Sequence, residues 1–340
     1  MVFSILLSVV SQLDLSGYAE TRPYLLIGAS THLNGFNRGW IELKADGNNY
    51  GAQFACELIV PYDTMFLAAV TESISISRLA VWIGPEKGRL IIGKQRLYWG
   101  VGRVFRPLDI FNPVNYFEPT YERPGSNAIL GYLALGDLTG IRGIVQPRHE
   151  LDESLYGLRL GTHLLKNDLS ISTFHQPAED MTLIGGEIAG ELAVGYWCEY
   201  GYTQEDTIDY SQVSLGIDYT FPFMVYTMAE YFFDGSGFDD PSDYDYSLIV
   251  QGERATLGQH YLYTLVSTVP NPFDLFRPSL SALVNIEDRG FILIPQINIV
   301  PYENTDITIG FNLFFGHEDS EFVNLIPYDA VIYTWIKIHF

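Results

Sequence analysis

Apolar and polar residues alternate with a period of two over almost the whole chain, and no other feature limits the fold as strongly. A period of two places successive side chains on opposite faces of an extended strand. From Asp306 to Gly316, residues Asp306, Thr308, Gly310 and Asn312 share one face, while Ile307, Ile309, Phe311, Leu313 and Phe315 share the other. Leu15–Tyr24 sets Ser16, Tyr18, Glu20, Arg22 and Tyr24 together, and Arg38–Ala45 does the same for Arg38, Trp40, Glu42 and Lys44. Asp46-Gly47 then signals a hairpin turn before the next run, Gly51–Val60. Further runs cover 73–84, 87–98, 126–135, 138–147, 154–164, 167–176, 180–190, 192–203, 208–219, 223–234, 259–269, 274–287, 290–300, 304–316 and 328–340. No stretch carries a 3.6-residue apolar period, so few helices are expected. No linker or composition shift divides residues 12–340, which read as one domain.

These runs number about 18, with 16 as the alternative, and each is near the ~9–11 residues a tilted strand needs to cross a bilayer. The connections sort by length. Those after even-numbered runs are short, as at Ala45–Asn49, Gly84–Gly88, Gly136–Asp137, Leu165–Asn167, Gly190–Glu191, Thr220–Pro222 and Pro301–Glu303, with Pro270–Asp274 slightly long. The longer segments 61–72, 99–125, 148–153, 235–258 and 317–327 all follow odd-numbered runs. A transmembrane barrel has one rim of short turns and one of long loops, and a soluble sandwich has no reason to sort them. The expected fold is therefore all-β: a closed antiparallel transmembrane β-barrel with short periplasmic turns and long outer loops.

Composition agrees. Charged residues make up 18 % of the 340-residue chain and aromatic residues 14 %, with 23 Tyr and 21 Phe. No apolar run is long enough for a helical membrane span. The net charge of -22 argues against nucleic acid as a partner, because phosphate binding needs a basic face. Cys56 and Cys198 have no metal-ligand or disulfide-framework spacing and read as small apolar residues. No metal or cofactor is expected. Residues 1–11 read as a secretory signal peptide, although no Lys or Arg precedes the apolar run.

Lipid penalises a Lys or Arg at mid-bilayer by ~2–4 kcal/mol, so the charged face of each strand should line the lumen. That face carries Glu20, Arg22, Arg38, Glu42, Lys44, Glu57, Lys94, Arg96, Arg142, Arg159, Glu191, Glu199, Asp218, Glu230 and Asp306. Cys56, Cys198, Ile41, Leu43, Val213, Leu215, Ile217 and Phe311 should then face lipid, and Gln95 with them. The cationic lumen residues concentrate in the first half of the chain and the acidic ones later. Opposed across a closed barrel, they would set a transverse field over a water-filled pore. The alternative is that they pair and plug the lumen.

Gly100–Gly125 is the longest connection and is rich in Pro and aromatic residues. It is expected to fold inward and narrow the pore, with Arg103, Arg106, Asp109, Glu118 and Arg123 at the constriction; the alternative is an outer cap on neighbouring loops. Catalytic readings find little support. His163 and His175, with Ser172 and Asn167 nearby, have no spacing that marks a catalytic set, so the chain is read as a non-enzyme. The acidic run Asp239–Asp245 reads as a solvated loop, with weak calcium binding as the alternative.

Two resemblances add to this reading. Ala330–Phe340 alternates and ends in Phe340, and resembles the C-terminal strand of bacterial outer-membrane barrels, which the barrel-assembly machinery recognises. Ile92-Gly93-Lys94-Gln95-Arg96, Trp99-Gly100 and Pro107-Leu108-Asp109-Ile110-Phe111-Asn112-Pro113 resemble motifs of porin-like outer-membrane proteins, including alginate-export-type and related uncharacterised families. Asn285-Ile286-Glu287-Asp288 and Ile294-Pro295-Gln296 are similar to their late hairpin. The resemblance implies a monomeric barrel or a trimeric homo-oligomer that sits in a lipid bilayer and moves small polar solutes across the outer membrane. It does not specify the solute. Three functions are carried forward: a porin, a dedicated transporter of an anionic polysaccharide or organic acid, and a structural or adhesive barrel without transport.

Overall fold

The computed structural model describes residues 12–62, 74–111, 125–206, 208–270 and 275–340. The expected signal segment 1–11 lies outside the described residues. The chain forms eighteen strands: β1 (Gln12–Ile27), β2 (Thr31–Asp46), β3 (Tyr50–Pro61), β4 (Ile74–Ile83), β5 (Gly88–Gln95), β6 (Ser126–Ala134), β7 (Thr139–Gln146), β8 (Leu155–Leu164) and β9 (Asn167–Gln176) in the first half. The second half supplies β10 (Met181–Glu191), β11 (Gly195–Gln204), β12 (Tyr210–Phe221), β13 (Val225–Asp234), β14 (His260–Thr268), β15 (Phe276–Asn285), β16 (Phe291–Tyr302), β17 (Thr305–Phe315) and β18 (Ala330–His339). Among the described residues, two short helices lie in connections, α1 (Ser247–Val250) and α2 (Glu321–Leu325).

Each strand pairs antiparallel with its sequence neighbours, and β18 pairs with β1 from Tyr18↔His339 to Ile27↔Ala330. The sheet is therefore a closed barrel with no open edge, the arrangement that satisfies every strand's backbone polar groups away from water. Phe340 continues the closure, donating its N–H to the Gly17 carbonyl at 3.0 Å and accepting from the Gly17 N–H at 3.1 Å. β1 and β2 run longer than their alternation alone predicted. They pair without a break from Gln12↔Asp46 to Ile27↔Thr31, through Pro23, so most of the residues between the two alternating runs are strand.

The outward face is apolar: Ile41, Leu79, Val81, Leu160, Ile171, Leu215 and Ile217 are all exposed there. Aromatic clusters sit on this face at both rims. Beside the β12–β13 turn, Tyr219 meets Phe221 edge-on at 4.8 Å and Phe221 stacks on Phe223 at 5.1 Å. Phe291 and Phe315 stack at 4.8 Å at the opposite rim, which carries the long connections and is called the outer rim below. An apolar belt between two aromatic girdles is the surface a barrel presents to a bilayer.

The buried core is inside. An eighteen-strand barrel is too wide for wall side chains alone to fill. Residues of the β5–β6 connection supply the missing contacts. Leu97, Trp99, Leu108 and Phe111 pack on Ala128, Ile144, Leu155, Phe174 and Leu183 of the wall. Phe105 packs across the lumen on Phe232, Tyr261, Leu283, Ile292 and Phe314, together with Phe322 of α2.

Candidate functional site: an inward segment held by two wall glutamates

The segment 97–111 runs inside the barrel and touches wall strands from β6 to β17. Its backbone is tied down by two carboxylates. Glu199 of β11 accepts the Val101 and Gly102 N–H groups on Oε2, at 2.7 and 3.0 Å, and the Leu108 N–H on Oε1 at 2.7 Å. Glu230 of β13 accepts the N–H groups of Arg103 (2.9 Å), Val104 (3.1 Å) and Phe105 (2.6 Å), and the Trp197 indole N–H at 2.9 Å. Both glutamates are wholly buried. A carboxylate that accepts several backbone N–H groups makes strong, charge-assisted bonds, which offset the cost of burying the charge.

Local sequence makes this approach feasible. Gly100 has φ +86°, in the left-handed region, and a Cβ there would lie 2.5 Å from a Glu199 carboxylate oxygen. On the wall, Gly185 leaves room for Leu108, whose side chain would collide with any methyl group at that position. Packing completes the seat. Trp99 donates its indole N–H to the Ser172 hydroxyl at 2.8 Å and meets Phe174 edge-on at 5.1 Å. Phe105 stacks on Phe232 at 4.6 Å, with 4° between the ring planes.

The residues expected at the constriction fall as follows. Arg103 is exposed, its guanidinium 5.3 Å from the Trp197 ring centroid. Arg106 and Asp109 lie 3.8 Å apart and line a cavity of about 800 Å³ with Glu205, Asp234 and Arg254. Glu118 and Arg123 lie outside the described residues.

Register fixes the facing of the expected lumen residues. Arg38 points inward and pairs with Glu57 at 2.8 Å and Glu20 at 3.3 Å. Glu42 pairs with Arg78 at 2.9 Å and contacts Gln53. Arg96 shares an inner cavity with Gln53, Arg78, Trp82 and Gln95. Arg142 and Arg159 are cross-strand partners. Arg159 bonds Glu187 and Ser170, whereas Arg142 rests over the Tyr132 ring at 5.8 Å. Asp218 accepts the Tyr226 hydroxyl at 3.0 Å. Glu191, at the exposed end of β10, shares the parity of inward Glu187.

Lys94 and Gln95 differ from expectation. Lys94 pairs with outward Leu79 and with Asn127, so it lies on the lipid-facing side near the outer rim. Gln95 is inward and buried, donating to the Ala128 carbonyl at 3.1 Å. The register sets this: Gly93 pairs with inward Ala80 and Ala128, so Gln95 shares their side and Lys94 takes the other. The transverse field also has a different source of balance. Arg38, Arg78 and Arg159 meet carboxylates one or two strands away, and Glu199 and Glu230 take backbone N–H groups of the inner segment rather than facing arginines across water.

Sequence reasoning had placed Glu199 and Glu230 in the lumen but had no signal for what they bind. His163 and His175 lie at opposite ends of the β8–β9 pair, and Ser172 is engaged by Trp99. In the acidic loop, Asp240 and Asp245 each accept the N–H and hydroxyl of a serine two residues on, which lowers both carboxyls below their ordinary range. Among the described residues, no group of three or more His, Cys, Asp or Glu is placed to hold a metal.

This arrangement defines a class: a closed β-barrel of the outer-membrane porin fold with a segment folded into its lumen. Solved structures share this fold. The outer-membrane protein OprD from Pseudomonas aeruginosa matches with a TM-score of 0.67 at 8 % identity, covering 98 % of this chain and 94 % of that one. Pseudomonas aeruginosa OccK3 (OpdO) matches at 0.67 with 10 % identity over 100 % of this chain and 98 % of that one. OccAB3 of Acinetobacter baumannii matches at 0.65 with 9 % identity over 97 % and 100 %. No protein-family model and no curated protein sequence matches the chain.

Proposed function

We propose that the protein is a porin-like channel of the bacterial outer membrane, through which small polar solutes diffuse past the inward segment, and that it is not an enzyme. The observation that carries this reading is the segment 97–111, fastened by Glu199 and Glu230 inside a closed lipid-facing barrel. A barrel whose only task was structural would have no need of a segment anchored across its lumen. Arg103, Arg106 and Asp109 border that lumen, and Glu118 and Arg123 are proposed to join them. In this reading the partners are the bilayer, the solutes and the barrel-assembly machinery through Phe340, and the barrel is able to form a homo-oligomer. The similar solved structures include an outer-membrane protein, OprD, which supports the outer-membrane setting of this reading.

A dedicated transporter of an anionic polysaccharide or organic acid would use an unbroken row of lumen Arg and Lys. Here Arg38, Arg78 and Arg159 are paired with carboxylates and Lys94 faces out, which favours the general channel. The test is swelling of liposomes carrying the purified protein, in sugars, amino acids and organic acids of graded size. Uptake that falls with solute size supports a channel; no uptake of any solute removes it. Deleting Val104 to Tyr116 should raise single-channel conductance, and an unchanged value would sink the constriction while leaving the barrel.

A further inference from the structure

Three connections meet at the outer rim above Phe105: the β13–β14 connection, the β15–β16 turn and α2. They are joined through two buried carboxylates. Glu321 of α2 is 1 % exposed. Its Oε1 accepts the Leu257 N–H at 2.9 Å, and its Oε2 accepts the Tyr261 hydroxyl at 2.6 Å and the Asn285 side-chain amide at 2.7 Å. Asp288 accepts the Glu321 N–H at 2.6 Å and the Gly290 N–H at 2.6 Å. The Asn285 amide nitrogen also lies 3.3 Å from Asp288 Oδ2. Phe322, beside Glu321, is fully buried in the cluster that contains Phe105.

All the donors to these two carboxylates are neutral, and no Lys, Arg or His pairs with either among the described residues. Among the described residues no bond or ion pair joins either carboxylate to Arg254, which pairs with Asp234 at 2.9 Å, or to Arg289, next to Asp288 in the turn. Tyr244 accepts from the Asn285 amide at 2.9 Å, and Tyr246 bonds the Asp319 carbonyl at 3.2 Å. Glu287 adds a further acid, held by the His260 N–H at 3.1 Å and lying 3.8 Å from the His260 ring. His317 engages Ser320 through its backbone carbonyl. Two like charges that share one amide in a dry setting repel, and one proton relieves them.

We propose that Glu321 and Asp288 form a pH-operated latch, which holds the outer connections together in mildly acidic medium and releases them as the medium approaches neutrality. Burial pushes the Glu321 carboxyl from an ordinary 4.5 up to about 7, and the Asp288 charge adds to the rise. Burial raises Asp288 as well. A carboxyl raised in the latched state binds its proton more tightly there than when released. The latch is then at full strength below about 4.5, weakens as pH rises, and has lost this contribution once pH passes about 7. Glu321 alone makes the released state about 40-fold more populated, relative to the latched one, at pH 7 than at pH 5.

The test is hydrogen exchange of the full-length protein in detergent micelles, followed at the Leu257 amide and corrected for the intrinsic pH dependence of exchange. Protection in the native chain is expected to fall about 40-fold between pH 5 and 7. Glu321→Gln, which has no proton to lose, should flatten most of that fall. Asp288→Asn removes a charge that raises Glu321 and should shrink the fall. A pH-independent protection in the native chain, or a native-like fall in these variants, overturns the latch. Should Glu321→Gln not assemble, as judged by heat-modifiable gel mobility, Asp288→Asn decides by itself: a smaller fall supports the latch and an unchanged one overturns it. This readout needs no conduction, so its failure is distinct from failure of the channel reading.

Discussion

Replacing Glu230 with Gln isolates the anchoring of the inner segment, because the side chain keeps its size and loses its charge. The native carboxylate serves four donors. Its Oε1 takes Val104 and Phe105, and its Oε2 takes Arg103 and Trp197. A Gln amide has one acceptor oxygen, and its NH2 would face two of these donors whichever way it is turned. A bond to a charged acceptor contributes ~1.5–3 kcal/mol, and a buried donor left unpaired costs ~1–3 kcal/mol. Two orphaned donors, with two weakened bonds beside them, cost about 3–5 kcal/mol of anchoring. Since each ~1.4 kcal/mol is tenfold, the released state of residues 103–105 should gain at least a hundredfold in population. Hydrogen exchange of the micelle-bound protein reads this directly at the Arg103, Val104 and Phe105 amides, and bilayer recordings should show a larger, flickering conductance. The strand amides of β12–β14 should keep their protection. Native-like protection at Phe105 would refute the anchoring argument, and a loss spread over the whole sheet would show a folding defect instead.

Three further substitutions probe the same geometry. Phe105→Ala empties the space against Phe232 and Tyr261, and should cost about 3–5 kcal/mol of segment docking, read as earlier thermal release of the segment and higher conductance. Gly100→Ala forces a side chain into a left-handed conformation and against Glu199, so it should cost at least ~1–2 kcal/mol, with lost exchange protection at the Val101 and Gly102 amides. Lys94→Leu should leave conductance and ion selectivity unchanged and hold or raise thermal stability, because Lys94 shares the lipid-facing side of β5 with Leu90 and Ile92; a shifted reversal potential would place it in the lumen after all.

The strand plan was legible in the sequence because lipid and water sort side chains on every strand, and the sorting survives wherever one face is wet. It becomes illegible where both faces are dry. On β5, Leu90-Ile91-Ile92 carries no phase, and beside it Ala128 of β6 is covered by the inner segment, so Gln95 could be buried inward and Lys94 turned outward without disturbing the pattern. The same cover puts apolar Phe174, Leu183 and Phe232 on lumen positions. β1 and β2 show a different limit. Pro23 and Gly35, which are cross-strand partners, look like strand breakers in sequence, yet the pairing runs through them to a three-residue turn at 28–30.

The candidate site was half legible for a related reason. An acidic residue at a lumen position announces that it is not facing lipid, but its partner is set by a segment some hundred residues away in sequence, and that partner is backbone. Backbone N–H groups leave no mark in a sequence, so Glu199 and Glu230 read there as lumen charges that solutes would meet. Their use as anchors changes what the lumen offers. The carboxylates of Glu20, Glu42, Glu57 and Glu187 are matched by arginines of the wall, and Glu199 and Glu230 by amides of the segment. Arg103 and Arg142 rest on the rings of Trp197 and Tyr132, which leaves much of their charge available to the water around them. A chain with a net charge of -22 thus keeps much of its lumen acidity occupied in holding its own backbone and arginines, and the field a solute meets follows from local pairing rather than from the formal charge.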